Sequence, residues 1–433
     1  MKPGFLLSSS PQVSKLSANH VVVDEELGKR KYRIEDFEIE RNIGCGNFSQ
    51  IWHVTLKARP HESYALKIIN VQKVKSNNLV TFVQQERNAM LSLGSPGHPN
   101  VIKLFDTFKD KSNVYLLYEY AKEGELWEKV KNIGVPDRYA ARVLVRQLLN
   151  GLEYIHDHGL IHRDLKCENV VIKDGNLKII DFGTSAFVNS MGDDERGVMD
   201  ATESIVGTQR SAPVVGHSPS ELCSISRRKR EFKHHVGTPN FMPPEAISNV
   251  CSGYAADLWA LGCTMYQMLL GFNCFIGSSS YFVYKNVKRK QLAFPEGFDA
   301  DAKDLIEQFL ADDPQKRITL EKARQHKFFA GIDGQALNTP MLNMFGTIDN
   351  SLRNACLKAQ DAIFELTVKR ERANDADYRE IESAIRLVEL YNTPTLSNAI
   401  IFNYHRTKVQ LEAEIAEAQH YMQNVKSNEN EGQ

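Results

Sequence analysis

The run His162-Arg163-Asp164-Leu165-Lys166-Cys167-Glu168-Asn169, followed at a short interval by Asp181-Phe182-Gly183, gathers the groups that moving a phosphoryl group onto an alcohol requires. A carboxylate must orient the hydroxyl and accept its proton, which suits Asp164, and a cation must stand beside the group in transit, which suits Lys166. Hard Mg2+ ions need oxygen donors, which the amide of Asn169 and the carboxylate of Asp181 provide. Asp-Phe-Gly by itself is a common accident; preceded by the longer run in this order it is not.

Upstream, Gly44-Cys45-Gly46-Asn47-Phe48-Ser49-Gln50-Ile51 is a Gly-x-Gly turn between two expected strands. Glycines there let backbone N–H groups approach phosphate oxygens with no Cβ in the way. Lys67, on the next strand, can reach the α- and β-phosphates, and Glu86, on the following helix, can pin it as an ion pair. Taken singly, each of these features also fits an ordinary hairpin or a solvated charge.

The elements that must position these residues follow from periodicity. FEIERNIG from Phe37, QIWHVTLKA and YALKIINV read as antiparallel strands separated by turn residues such as Arg59-Pro60-His61. Leu79 to Leu93 has helical spacing, and Val101 to Phe108 and Val114 to Tyr120 read as further strands. Beyond Tyr120 the texture becomes helical: Ala140 to His156, Ala255 to Leu270 and Ala302 to Leu310 are apolar-periodic. Residues 1–33 are Ser-rich and aperiodic, an expected flexible extension. Residues 189–233 read as a flexible insertion, acidic at first and then basic through Arg227-Arg228-Lys229-Arg230. Residues 347–424 are helical again, punctuated by Asn392-Thr393-Pro394-Thr395, and suggest a helical hairpin or short coiled coil.

Composition narrows the class. At 433 residues the chain should hold two or three packed units, and 42% hydrophobic with 25% charged residues excludes a fibrous or mostly disordered chain. Lys+Arg of 53 against Asp+Glu of 54 gives no global field for nucleic acid or an anionic membrane. The seven cysteines have neither framework nor zinc spacing, which fits a reducing compartment. No stretch approaches the ~18 apolar residues of a membrane span. These features point to a cytoplasmic protein, with the basic run at 227–230 as a route to the nucleus.

With those motifs in place, residues 34–330 resemble an AGC-group Ser/Thr protein kinase, and among these the phosphoinositide-dependent protein kinase family. Gly-x-Gly-x-Phe-Ser at 44–49, Tyr120-Ala121-Lys122-Glu123-Gly124-Glu125-Leu126 and Asp257-Leu258-Trp259-Ala260-Leu261-Gly262-Cys263 carry the resemblance. It implies an α+β bilobal kinase fold, with a β-rich N-lobe (34–120) and a helical C-lobe (121–330), to which the expected C-terminal hairpin is added. It implies ATP and Mg2+ as cofactors, with Asp164, Lys166, Lys67 and Glu86 catalytic and Asn169 and Asp181 on the metal. ATP would lie against Ile43, Gly44, Cys45, Gly46, Asn47, Phe48, Ser49, Ile51, Ala65, Lys67, Glu119, Ala121, Glu125 and Glu168. Tyr118 would be the gatekeeper, and Glu119 and Ala121 would meet adenine through backbone groups. Thr238 beside Asp164 and Lys166 implies Ser/Thr specificity, Glu245 would pair with Arg317, and Asp257 would anchor the catalytic loop.

The family phosphorylates activation loops of other AGC kinases and docks their phosphorylated hydrophobic tails. Val74, Val80, Val83 and Val114 fall at the matching socket positions, with Lys31, Arg87, Thr107 and Lys109 placed for the phosphate. Helix-to-sheet packing explains the same valines equally well. Three departures stand out. His234 occupies the family's activation-loop Ser position, so Ser204 or Ser226 in the insertion becomes the candidate phosphosite. Lys75 replaces an apolar residue. The C-terminal region has no Trp and helical spacing, so no lipid-binding pleckstrin-homology domain is expected, and the tail reads as a site for a partner. The alternatives are another AGC or calmodulin-dependent-like kinase and, from a different class, a pseudokinase scaffold acting through the tail.

Overall fold

A computed structural model describes residues 32–46, 48–188, 237–248, 250, 253–332, 350–369, 375–389 and 394–431. Lys31, Asn47, Ser204, Ser226, the basic run at 227–230 and His234 lie outside these residues, as does the whole expected insertion.

The first lobe is a five-stranded antiparallel sheet in the order β1-β2-β3-β5-β4, built from β1 (Phe37–Cys45), β2 (Ser49–Leu56), β3 (Arg59–Asn70), β4 (Leu104–Lys109) and β5 (Asn113–Glu119). Strand side chains alternate between faces, and here each face has its own core. Tyr64, Leu66, Tyr115 and Leu117 join Phe37 and Val54 on one side. Ile69, Val114 and Leu116 join Val74 and Val83 on the other, beneath the helices α1 (Val71–Ser76) and α2 (Val80–Leu93). The same alternation puts Lys67 and Tyr118 on the α2 side.

Two strand boundaries differ from expectation. The β2–β3 turn falls at Lys57-Ala58, and Arg59-Pro60-His61 already belong to β3. Pro60 is tolerated because that end of β3 pairs only with β2; the β5 pairing starts at Tyr64. Residues 101–103 lie outside β4, because this stretch is tied to the second lobe: Ile102 N donates to Ile179 O at 3.1 Å and Ile179 N to Asn100 O at 3.0 Å.

The second lobe contains α3 (Leu126–Ile133), α4 (Arg138–Asp157), α5 (Pro244–Ile247), α6 (Tyr254–Leu270), α7 (Ser280–Lys288), α8 (Ala300–Phe309) and α9 (Leu320–Arg324). Asp137 caps α4 by accepting from Ala140 N at 2.8 Å. Helix α6 is apolar nearly all round and correspondingly buried, with Trp259, Leu261, Met265 and Tyr266 wholly enclosed. It closes on α8 because Gly262 has no Cβ; one added there would sit 2.7 Å from Phe309 Cβ. Short two-stranded ribbons, β6 (Leu160–Ile161) with β9 (Ala186–Phe187) and β7 (Val170–Lys173) with β8 (Asn176–Ile179), frame the loops that carry the chemistry.

Where the spacing suggested a hairpin, the tail holds three helices: α10 (Asn350–Lys369), α11 (Asp375–Glu389) and α12 (Pro394–Glu431). Pro394 opens α12, a position where its missing N–H costs nothing. The three share a core of residues such as Leu352, Ile363, Ile381, Val388, Ile400 and Leu411. The tail also rests on the second lobe: Asp361 pairs with Lys131 at 3.1 Å, and Ala399 joins the lobe's own core. No helix among the described residues is long and apolar enough to cross a membrane.

Candidate active site

Lys67, central in β3, has its ammonium buried between two carboxylates. Nζ lies 2.6 and 2.8 Å from the two oxygens of Glu86 and 3.8 Å from Asp181 Oδ1. Burial alone would push this ammonium down, but the charges of Glu86 and Asp181 outweigh it and hold it above its ordinary value. Helix α2 is therefore drawn in against the sheet. A further donor supports the pair, one that the sequence reading assigned only as a gatekeeper. The Tyr118 hydroxyl donates to Glu86 Oε1 at 2.9 Å, and burial together with the Glu86 charge keeps that phenol well above its ordinary range.

The catalytic loop between β6 and β7 hangs from one buried carboxylate. Asp257, at the start of α6 and fully enclosed, accepts from His162 N and Arg163 N at 2.8 Å each and from His156 Nε2 at 2.9 Å. These bonds and the charges of His156 and His162 hold its carboxyl below the ordinary range, although burial works the other way. Lower on the same helix, Thr264 Oγ1 donates to Leu165 O at 3.2 Å, and Gln267 Oε1 accepts from Cys167 N at 3.0 Å. Both supports escaped the sequence reading. Their signal was available: two polar residues on the Asp257 face of an apolar helix need buried partners.

The loop delivers Asp164 into a tight polar cluster. Its Oδ1 accepts from Thr238 N and Thr238 Oγ1, both at 2.9 Å, and its Oδ2 accepts from Lys166 Nζ and Asn169 Nδ2, both at 2.9 Å. Lys166 Nζ also reaches Thr238 Oγ1 at 2.5 Å. The amide nitrogen of Asn169 further donates to Asp164 O at 2.7 Å, so its oxygen is left for another partner. Asp181 takes a left-handed backbone with φ of 63° and keeps its side chain half exposed, while Phe182 is buried with its ring edge-on to His162. An amide oxygen and a half-exposed carboxylate are hard oxygen donors of the kind that suit Mg2+. Bound there, the ion would neutralise charge on the phosphates.

The residues that the sequence assigns to ATP begin at the β1–β2 hairpin. Gly44 pairs with Ile51 and Cys45 with Gln50 across the β1–β2 hairpin, and Gly46 N donates to Ser49 O at 2.9 Å. A Cβ on Gly46 would lie 2.9 Å from Ser49 Oγ, so a side chain there would require the serine hydroxyl to turn away. Ile43 precedes the turn on β1, Ala65 lies opposite His53 farther along β3, and Phe48 packs against the α2-side core. At the hinge, Glu119 uses its side chain for a purpose the sequence reading missed: it pairs with Lys173 and Lys178 at 2.8 Å each and accepts from Lys103 N at 2.9 Å. Ala121 follows it, Glu125 stands just before α3 in a bridge with Val171 of β7, and Glu168 lies in the short turn that leads into β7. Burial and the charges of Glu128 and Glu168 push the Glu125 carboxyl up, while Glu168 also accepts from Gln267 Nε2 at 3.2 Å.

One expected long-range relation, that of Glu245 with Arg317, can be read directly. Arg317 forks onto Glu245 with two bonds of 2.7 Å. Arg163 directs Nε to Thr184 O at 2.5 Å and Nη2 to Ser185 O at 3.3 Å. The candidate docking residues divide. Val74, Val83 and Val114 are buried in one core with Val80 partly buried against them. Arg87 Nε meets Thr107 Oγ1 at 3.4 Å beside exposed Lys109 on the outer edge.

The sequence profile of the protein kinase domain matches residues 37–214 and 221–329. Among known proteins, 3-phosphoinositide-dependent protein kinase 1 of Arabidopsis thaliana is 31% identical over 320 residues, 72% of this chain and 58% of that one. The human protein of the same name is 30% identical over 316 residues, 71% of this chain and 50% of that one. Serine/threonine-protein kinase ksg1 of Schizosaccharomyces pombe is 30% identical over 319 residues, 72% of this chain and 50% of that one. The chain thus spans about half the length of these relatives. Since the matched profile runs through the hairpin turn, the Lys67–Glu86 pair and the Asp257-anchored loop alike, the chain belongs to the protein kinase family.

Proposed function

We propose that the protein is an ATP- and Mg2+-dependent protein Ser/Thr kinase that phosphorylates activation loops of AGC-type kinases. The observations that carry this reading are the Asp164–Thr238–Lys166 cluster and the Lys67–Glu86 pair with Asp181 beside it. In this arrangement, Asp164 orients and accepts the proton of an incoming hydroxyl, Lys166 stabilises the phosphoryl group in transit, and Lys67 holds the nucleotide phosphates. Every charged role of phosphoryl transfer is filled, which disfavours a pseudokinase. The choice of substrate rests on the likeness to the phosphoinositide-dependent kinases. Arg87, Thr107 and Lys109 offer a phosphate-binding edge for a phosphorylated hydrophobic motif, with Lys31 as a further contributor. Ser204 and Ser226 are the regulatory candidates, and the free thiols of Cys45, Cys167, Cys263, Cys274 and Cys356 suit the reducing cytoplasm.

The test is transfer of radiolabelled phosphate from ATP to an AGC activation-loop peptide, with and without a phosphorylated hydrophobic-motif peptide. Label should appear with wild type and vanish with Asp181→Asn. Equal label in both would refute catalysis at this site, and no response to the second peptide would refute the docking edge.

A further inference from the structure

The tail's contact with the second lobe is concentrated on the loop between α6 and α7. Arg406 of α12 sends Nη2 to Asn273 O at 2.7 Å and to Asn403 Oδ1 at 3.2 Å, and Nη1 to Cys274 O at 3.0 Å and Tyr266 Oη at 3.2 Å. Its guanidinium stands 4.9 Å from the centroid of the Phe272 ring, with Tyr266 and Phe402 alongside. Two turns on, Glu414 accepts from Ser278 N at 3.3 Å and from the Ser278 hydroxyl, and Glu417 pairs with Lys285 of α7. Helix α12 is therefore stitched along the α6–α7 loop and onto α7.

The other side of that loop carries the segment that follows Thr238. Asn240 Nδ2 donates to Phe275 O at 2.7 Å, one residue past the carbonyls that Arg406 grips. The Phe275 ring stacks on Trp259, and Tyr284 of α7 reaches Met242 Sδ at 3.7 Å. The loop has little slack: a Cβ on Gly277 would lie 2.6 Å from Val283 N. Thr238 touches Asp164 through its amide and its hydroxyl, so on the kinase reading a chain whose hydroxyl enters at Asp164 passes beside Thr238 and the residues that follow it.

We propose that Arg406 is a positioning residue for the protein substrate: by fixing the carbonyls of residues 273 and 274 it fixes Phe275 and hence the 237–242 segment on which the substrate chain lies. The tail thereby becomes part of the substrate-binding surface, and one partner of the tail is this chain's own second lobe. The proposal rests on the kinase reading above and deepens it. Its physical content is a charge-assisted hydrogen-bond cluster partly withdrawn from water, where removal of the cation leaves two carbonyls short of a donor.

The test is steady-state kinetics on the full chain with the activation-loop peptide and ATP as separately varied substrates. Arg406→Ala should raise KM for the peptide roughly tenfold while KM for ATP stays within about twofold, and Arg406→Lys should fall between it and wild type. Unchanged peptide KM, or an equal rise for both substrates, would overturn the proposal. Amide hydrogen exchange on the same variants needs no activity. Exchange should quicken at 237–242 together with 271–279 and stay unchanged in β3 and α2. Quickening confined to α12 would overturn the coupling. Should Arg406→Ala not fold, Arg406→Lys is read by the same two measurements with the same signs. A chain that transfers no phosphate at all refutes the kinase reading, while the exchange result still decides the coupling.

Discussion

Tyr118 and Glu86 share a hydrogen bond of 2.9 Å at the same carboxylate oxygen that receives Lys67 Nζ at 2.6 Å. Strand β5 therefore holds helix α2 in place by a bond of its own, in addition to the one made by Lys67 of β3. The phenol remains a donor across the physiological range because burial and the Glu86 charge keep it protonated. Tyr118→Phe keeps the ring and removes only the donor. The expected result is a fall of roughly tenfold in kcat/KM for ATP, the weight of one hydrogen bond to a charged group. Steady-state kinetics equal to wild type would show the bond to be idle.

Thr238 ties the activation segment to the catalytic carboxylate through both its amide and its hydroxyl. Thr238→Ala removes the hydroxyl from Asp164 and Lys166 together, and kcat is expected to drop by about one to two orders of magnitude, below the ~10^2 to 10^4 ascribed to general-base catalysis as a whole. Thr238→Ser should restore most of the rate, because it keeps the oxygen. A serine variant as slow as the alanine variant would assign the effect to the lost methyl packing instead.

The Glu245–Arg317 fork is buried, with the arginine side chain fully enclosed over the Trp259 ring at 5.0 Å. Removing one partner strands a charge away from water, which typically costs about 3–5 kcal/mol. Glu245→Gln and Arg317→Met should each lower the melting temperature markedly. The double variant should recover part of the loss, as neither charge then stands unpaired. Scanning calorimetry checks both statements, and additive losses in the double variant would contradict them.

Asp257 supplies an acid-sensitive share of stability. Its folded-state carboxyl is held below the ordinary value, so its contribution is fully present above the unfolded value of about 3.9 and is lost as the pH falls through the folded one. Denaturant unfolding between pH 7 and 3 should show wild type losing stability below about pH 4 more steeply than Asp257→Asn. The variant should be less stable at pH 7, where the loop amides of His162 and Arg163 lose an ionised acceptor. Parallel acid limbs in the two proteins would place the carboxylate's contribution elsewhere.

Much of the site is legible in the sequence because its parts are short contiguous runs whose chemistry is set by residue type and order. Asp164, Lys166 and Asn169 are confined to one loop, so the loop's own geometry brings them together. That Lys67 and Tyr118 share a face follows from the β3–β5 register, which pairs Lys67 with Leu116, and alternation within each strand alone does not fix it. What only the tertiary structure decided are the relations between residues far apart in the chain: Tyr118 on Glu86, Glu119 on Lys173 and Lys178, and Arg406 on the carbonyls of residues 273 and 274. Val74, Val80, Val83 and Val114 illustrate the converse, since the sequence alone left a docking socket and helix-to-sheet packing equally open, and apolar spacing states that a side chain will be buried but not against what. The tail shows the same limit, because its period announced helices while their number and their seat on the second lobe depended on where the chain turned. A local pattern encodes the face a residue shows; the partner it meets depends on how the remaining elements pack, and that is settled only when the whole core forms.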